Sequence, residues 1–162
     1  MATALKNLSD YDPQSVPNAS GMKFGVVVSE WNQNITFALA KGAVDTLLNC
    51  GAKEENILQH FVPGSFELPL GAQWMLEQTD VDAVICIGSV IRGETEHFTF
   101  VCEATSQGVK DVSLKYGKPV IFGVLTDDTL QQSIDRSGGK HGNKGDEAAI
   151  TAIKMAALKA SL

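Results

Sequence analysis

The chain has 162 residues, 44% of them hydrophobic and 20% charged, an ordinary composition for one soluble globular domain that buries its core without staples. A net charge of −6 argues against a track for nucleic-acid phosphates. No apolar run reaches the roughly 18 residues of a membrane span, and "MATALKNLSDYDPQSVPNASG" lacks the apolar core of a signal peptide.

That first stretch is rich in Ser, Asn, Asp and Pro. It reads as a tail over residues 1–22 that needs a partner to become ordered, followed by a single domain over 23–162. "KFGVVVSE" (23–30) is β-branched and almost continuously apolar, as a strand covered on both faces should be. Ile35, Leu39, Ala43 and Leu47 then recur at helical spacing up to Gly51, which predicts a helix. "NILQHFV" (56–62) is a strand, "PGSFELP" a turn, and "LGAQWMLEQT" a helix. "DAVICIGSV" (82–90) is the third strand, and it opens directly into "IRGETEHF". A long helix closed by Gly117 follows, then the strand "PVIFGVLT" (119–126). "DDTLQQSIDR" predicts a helix with an aspartate cap. The glycine-rich "SGGKHGNKG" reads as a connector into the last helix, "DEAAITAIKMAALKA".

Strand and helix alternate, which predicts right-handed crossovers, a four-stranded parallel sheet and helices on both faces. The last helix is apolar around most of its circumference and is expected to be buried on more than one side, as in an oligomer. Cys50, Cys86 and Cys102 form no CxxC pair; they read as small hydrophobes and reduced thiols, which fits the cytoplasm. His60, His97 and His141 are too scattered to suggest a metal centre. No GxGxxG follows the first strand, and the glycine-rich segment fails the Walker spacing.

Ligands of open parallel sheets bind at the carboxyl ends of the strands. Four segments fall there: Ser29–Asn32, Pro63–Glu67, Ser89–His97 and the loop after Leu125. Trp31 is either a half-buried packing residue or a plate for a planar ligand. Ser65 and Glu67 either cap a helix or hold ligand hydroxyls. His97 is either a cap residue or a proton carrier beside an anion held by the Gly93–Thr95 amides. Arg136 either belongs to a flexible connector or grips a phosphate.

Together, "VPGSFELP", "GSVIRGETEHFTFV", "PVIFGVLT" and "IDRSGGKHGNKGDEAA", in this order and spacing, resemble the lumazine synthase family, over about Lys23 to Leu158. The resemblance implies a flavodoxin-like three-layer α/β/α sandwich and a transferase reaction without cofactor or metal. In it, 5-amino-6-(D-ribitylamino)uracil condenses with 3,4-dihydroxy-2-butanone 4-phosphate to 6,7-dimethyl-8-ribityllumazine, the penultimate step of riboflavin biosynthesis.

Carried over by position, His97 is the implied acid/base. Trp31 is the stacking aromatic, and Ser65, Phe66 and Glu67 hold the ribityl chain. Ser89, Val90 and Ile91 meet the uracil edge, which Phe122 closes from a neighbouring subunit. Glu94 and Thr95 form the phosphate loop, with Arg136 and Lys144 supplied across the boundary. The resemblance further implies a homo-pentamer, an N-terminal tail that adds an edge strand to a neighbour, and association with riboflavin synthase. Many single-pentamer members of the family carry an insertion near this loop, so with the compact "GGKHGNKG" the resemblance implies twelve pentamers in an icosahedral shell over a single pentamer. Gly139 and His141 depart from the family's usual residues, which bears on the rigidity of that loop. A receiver module would need an aspartate where Gly88-Ser89 stands. A silent flavin- or lumazine-binding protein using the same pocket is the alternative function.

Overall fold

β1 (Phe24–Ser29) runs through the middle of the molecule, with all six residues buried, in a computed structural model that describes residues 7–162. β2 (Ile57–Val62), β3 (Ala83–Ile91) and β4 (Val120–Asp127) complete a sheet of order β2-β1-β3-β4. All its pairings are parallel, and Val28 lies opposite both Phe61 and Ile87. The central strand must satisfy an apolar layer on either side, so its sequence shows no alternation. β2 is an edge strand, and Gln59, His60 and Phe61 are exposed on it.

Side chains alternate across the pleat and sort into two cores. Val26, Val28, Ile85 and Ile87 pack with Leu39 and Leu47 of α1 (Gln33–Asn49) and Ile153 of α5 (Lys144–Ser161). Val27 and Val84 pack with Leu68 and Met75 of α2 (Leu68–Gln78) and Val109 of α3 (His97–Tyr116). Each fully buried Val or Leu contributes about 1.5–3 kcal/mol, so this division fixes the strand register. The result is the parallel sheet with helices on both faces that the alternation predicts, and the flavodoxin-like three-layer α/β/α sandwich that the resemblance implies.

Where α5 crosses α1, a Cβ on Gly145 would collide with the Leu39 carbonyl oxygen. Gly117 ends α3 in the left-handed region at φ 56°, as its position after the periodic run predicts. α5 buries Ala148, Ala149, Ile150, Ala152, Ile153 and Ala156, while Met155 and Leu158 are exposed.

Three expectations differ from the structure. α4 (Leu130–Arg136) is capped by Thr129 in a capping box with Gln132, not by an aspartate. The glycine-rich connector forms an antiparallel ribbon of β5 (Ser137–Gly139) and β6 (Gly142–Asn143). The tail, read as needing a partner, is held by its own chain from Asn7 onward. The Leu8 N–H donates to the His141 carbonyl at 2.7 Å, the Asn143 N–H to Ser9 Oγ at 2.9 Å, and Ala19 is fully buried. None of the described tail residues is in a strand, and the tail's first six residues lie outside the described ones. No described helix is long and apolar enough to cross a membrane.

Candidate active site

The strand order reverses direction between β1 and β3, and at such a switch point the connections leave the sheet on opposite faces and open a crevice. After Ser29 the chain turns away. The Glu30 N–H donates to the Val62 carbonyl at 2.8 Å, and Trp31 is left 72% exposed at the rim. Beyond β2, Pro63 and Gly64 lead into a 3-10 turn over Ser65–Glu67 that runs on into α2. The Thr105 hydroxyl shares its proton between the Val101 carbonyl of its own helix at 2.7 Å and the Ser65 carbonyl at 3.1 Å, which brings this turn against α3.

Gly88 makes room for the Ser65 side chain, since a Cβ there would lie 2.6 Å from Ser65 Oγ. Ser29, Ser65 and Ser89 each bury a hydroxyl that finds no partner among the described residues. Leaving a buried hydroxyl unpaired costs about 1–3 kcal/mol, so such groups point to a ligand or to water at this end of the sheet.

From Ile91 the chain enters the charged loop. The Arg92 N–H donates to the Asp127 carbonyl at 2.9 Å, its Nε pairs with Asp128 at 2.6 Å, and its guanidinium lies 4.1 Å from the Phe98 ring centroid. Arg92 thus anchors both ends of the segment that presents Gly93–Glu96. His97 begins α3, with its N–H 3.4 Å from Thr95 Oγ1.

These segments enclose a cavity of about 800 Å³. Trp31, Ser65, Phe66 and Glu67 form one side; Ser89, Val90 and Ile91 line the strand end; Thr95 and His97 close the loop side. Nine sequence-predicted residues therefore meet in one place. Glu94 sits in the same loop but does not line the cavity, although Gly93 and Thr95 on either side do.

Phe122, Arg136 and Lys144 do not meet there. Phe122 pairs with Cys86 in β4 and packs, partly buried, against the α2/α3 core. Arg136 and Lys144 line a second cavity of about 880 Å³, together with Tyr11 of the tail and Asp127. The loop after Leu125, predicted to belong with the other strand ends, belongs to this second cavity through Thr126 and Asp127. Arg136 Nη1 donates to the Gln132 carbonyl at 3.2 Å, and Lys144 pairs with Glu147 at 2.8 Å. Burial pushes the Asp127 carboxyl above the usual carboxylate range, opposed by the Ser133 hydroxyl at 2.8 Å and by Arg136 and reinforced by Asp128.

Sequence reasoning missed Phe98 and Val101, which also line the first cavity; Asn32 lines it too and stood in the strand-end segment Ser29–Asn32 without a role of its own. The run "HFTFV" carried a signal: His97, Phe98 and Val101 are spaced to share one helix face. Cys86 is buried and its thiol is pushed up to about 12 by desolvation, as a structural cysteine's should be. Among the described residues no His/Cys/Asp/Glu group could hold a metal ion.

The family model described as 6,7-dimethyl-8-ribityllumazine synthase matches residues 21–160. A protein of that name from Cytophaga hutchinsonii is 59% identical over 157 residues, covering 97% of this chain and 98% of its own length. One from Flavobacterium psychrophilum is 58% identical over 98% of this chain and 84% of its own length. One from Phocaeicola vulgatus is 57% identical over 100% of this chain and 96% of its own. Identity of this order over nearly the full length, on a fold with its cavity at the switch point, leads to one conclusion: the chain belongs to the 6,7-dimethyl-8-ribityllumazine synthase family.

Proposed function

We propose that this chain condenses 5-amino-6-(D-ribitylamino)uracil with 3,4-dihydroxy-2-butanone 4-phosphate to 6,7-dimethyl-8-ribityllumazine, releasing phosphate and water. The observation that carries this reading is the first cavity itself. An aromatic plate, buried hydroxyls without partners among the described residues and an imidazole converge on an open cavity with room for a bicyclic ligand with a polyol tail.

Trp31 stacks on the pyrimidine while Ser65, Phe66 and Glu67 take the ribityl chain. Ser89, Val90 and Ile91 present backbone to the uracil edge. The pyrimidine amine attacks the ketone carbon, and loss of water gives an imine. Loss of the proton on the hydroxyl-bearing carbon then expels phosphate and leaves an enol, which tautomerises to a ketone; the second nitrogen adds to that carbonyl and closes the ring with loss of another water. Each step moves a proton between nitrogen, carbon and oxygen, and His97 is the imidazole at this cavity that carries it.

Glu94 and Thr95 belong to the loop that receives the phosphate. Arg136 and Lys144 supply the positive charge, and they do so from a neighbouring copy, whose Phe122 also covers the uracil. Their separation from His97 within one chain supports that sharing. The exposed Phe100 and Leu114 of α3 and Met155 and Leu158 of α5 supply apolar surface for a pentamer, and the compact β5–β6 ribbon suits a shell of twelve pentamers. The cytoplasm is the fitting location, with riboflavin synthase as an associated consumer of the product.

Mixing purified protein with both substrates and following lumazine absorbance tests the assignment. Product formation supports it. Binding of riboflavin with no product from the two substrates favours a silent flavin-binding role instead.

A further inference from the structure

Asn32 is the only non-glycine residue at positive φ among the described residues, with φ 59° and ψ 48°. That conformation costs free energy, and it persists where the surrounding structure over-determines it. An asparagine at a helix start ordinarily turns its side-chain oxygen onto an amide of the first turn. Asn32 does not: its side chain makes no cap bond. Only its backbone carbonyl serves α1, accepting from the Ile35 N–H at 2.8 Å and the Thr36 N–H at 3.0 Å.

The side chain goes elsewhere. Asn32 Nδ2 donates to the Ser89 carbonyl at 2.9 Å. A carbonyl only accepts, so the amide's orientation is fixed by its partner. This bond lies beyond Val28 and Ile87, the last pair in the β1–β3 register, at a point where the Glu30 N–H has already turned to Val62. The side chain therefore substitutes for a ladder bond where β1 has left β3.

The bond joins two parts of the pocket. Trp31 precedes Asn32 in the chain, Ser89 carries one of the unpartnered hydroxyls, and all three residues line the first cavity. We infer that Asn32 is a positioning residue, which gives up its helix cap to fix the spacing and tilt between the Trp31 plate and the β3 edge. This rests on the reading of that cavity as the pyrimidine pocket.

Two variants separate this role from a purely structural one. Asn32→Gly keeps the left-handed turn and loses the cross-strand bond. Asn32→Asp keeps the size and the tolerance for left-handed backbone, but sets an acceptor against the Ser89 carbonyl. Riboflavin is titrated against tryptophan emission of the assembled full-length protein, and steady-state kinetics are measured with both substrates. Each variant should raise the riboflavin Kd and the KM for the pyrimidine by about 3- to 10-fold, with kcat and the KM for the ketose phosphate unchanged.

A lowered Tm with unchanged Kd and KM, in whichever variant folds, would overturn the inference and leave Asn32 a fold residue. If the unsubstituted protein itself shows no riboflavin quenching, the pocket reading falls and the inference falls with it. Quenching by the unsubstituted protein that either variant reproduces at the same Kd refutes the positioning role alone.

Discussion

His97 and Arg136 of one chain face different cavities. His97 opens α3 beside the end of β3, whereas Arg136 ends α4 next to Asp127 and the N-terminal tail. Both belong to the proposed chemistry, one moving protons and the other holding phosphate, so their separation shapes the predictions that follow.

Replacing His97 by Ala should slow lumazine formation. General acid–base groups contribute about 10²–10⁴-fold, and the lower end or less is expected because amine and ketone also condense unaided. Turnover of the folded, assembled variant measures it. A rate equal to that of the unsubstituted protein would remove His97 from the mechanism.

Trp31, the proposed plate, is exposed at the first cavity, and Trp74, on α2, is exposed as well but does not line it. Riboflavin binding should therefore quench mainly Trp31. Trp31→Phe should abolish most of the ligand-induced change and leave the Trp74 background. Quenching of full amplitude in that variant would place the ligand elsewhere.

Gly88→Ala should disturb the end of the pocket proposed for the ribityl chain. The added Cβ would meet Ser65 Oγ at 2.6 Å and Leu68 Cδ1 at 2.9 Å, and overpacking of this kind costs about 1–3 kcal/mol. A lower Tm together with a raised KM for the pyrimidine is expected. An unchanged Tm and KM would show that the Ser65 turn yields freely.

The alternation of strands and helices was legible because β1, β3 and β4 are apolar on both faces and each long helix keeps its period. The α4 cap was misread because Asp127, Asp128 and Thr129 are three residues in a row that can each cap a helix. Only tertiary placement decides among them: Asp127 ends β4 and Thr129 meets Gln132. The β5–β6 ribbon spans three and two residues, too short for periodicity to register. Within the site, strand-end position was enough to pick out Trp31, Ser65, Ser89 and His97. Asn32 fell in the strand-end segment Ser29–Asn32, but its role was not legible, because its left-handed backbone and its bond to Ser89 exist only once β1 and β3 are paired. The division of Arg136 and Lys144 from His97 was foreshadowed by resemblance, not by spacing.

Asp127 gives a pH test with a definite sign. Its pKa is raised in the folded chain, chiefly by burial, so the neutral carboxyl is the form the fold favours. Its contribution to stability is fully present below the ordinary carboxylate pKa and is lost as pH rises through the raised one. Asp127→Asn should therefore match the unsubstituted protein in acid and exceed it in Tm towards neutral pH. Melting curves at constant assembly state across that range check this; a Tm difference independent of pH would contradict it.

The most direct test of the shared site is co-assembly of His97→Ala with Arg136→Ala chains, with mixing confirmed by mass. Arg136→Ala alone should weaken the phosphate substrate about 10- to 150-fold, the cost of one charge-assisted hydrogen bond, and spare the pyrimidine. If each site takes His97 from one chain and Arg136 from its neighbour, random mixing restores about a quarter of the sites to full composition. Lumazine formation well above both parents is the predicted result. Mixed assemblies no more active than their parents would contradict a site divided between chains.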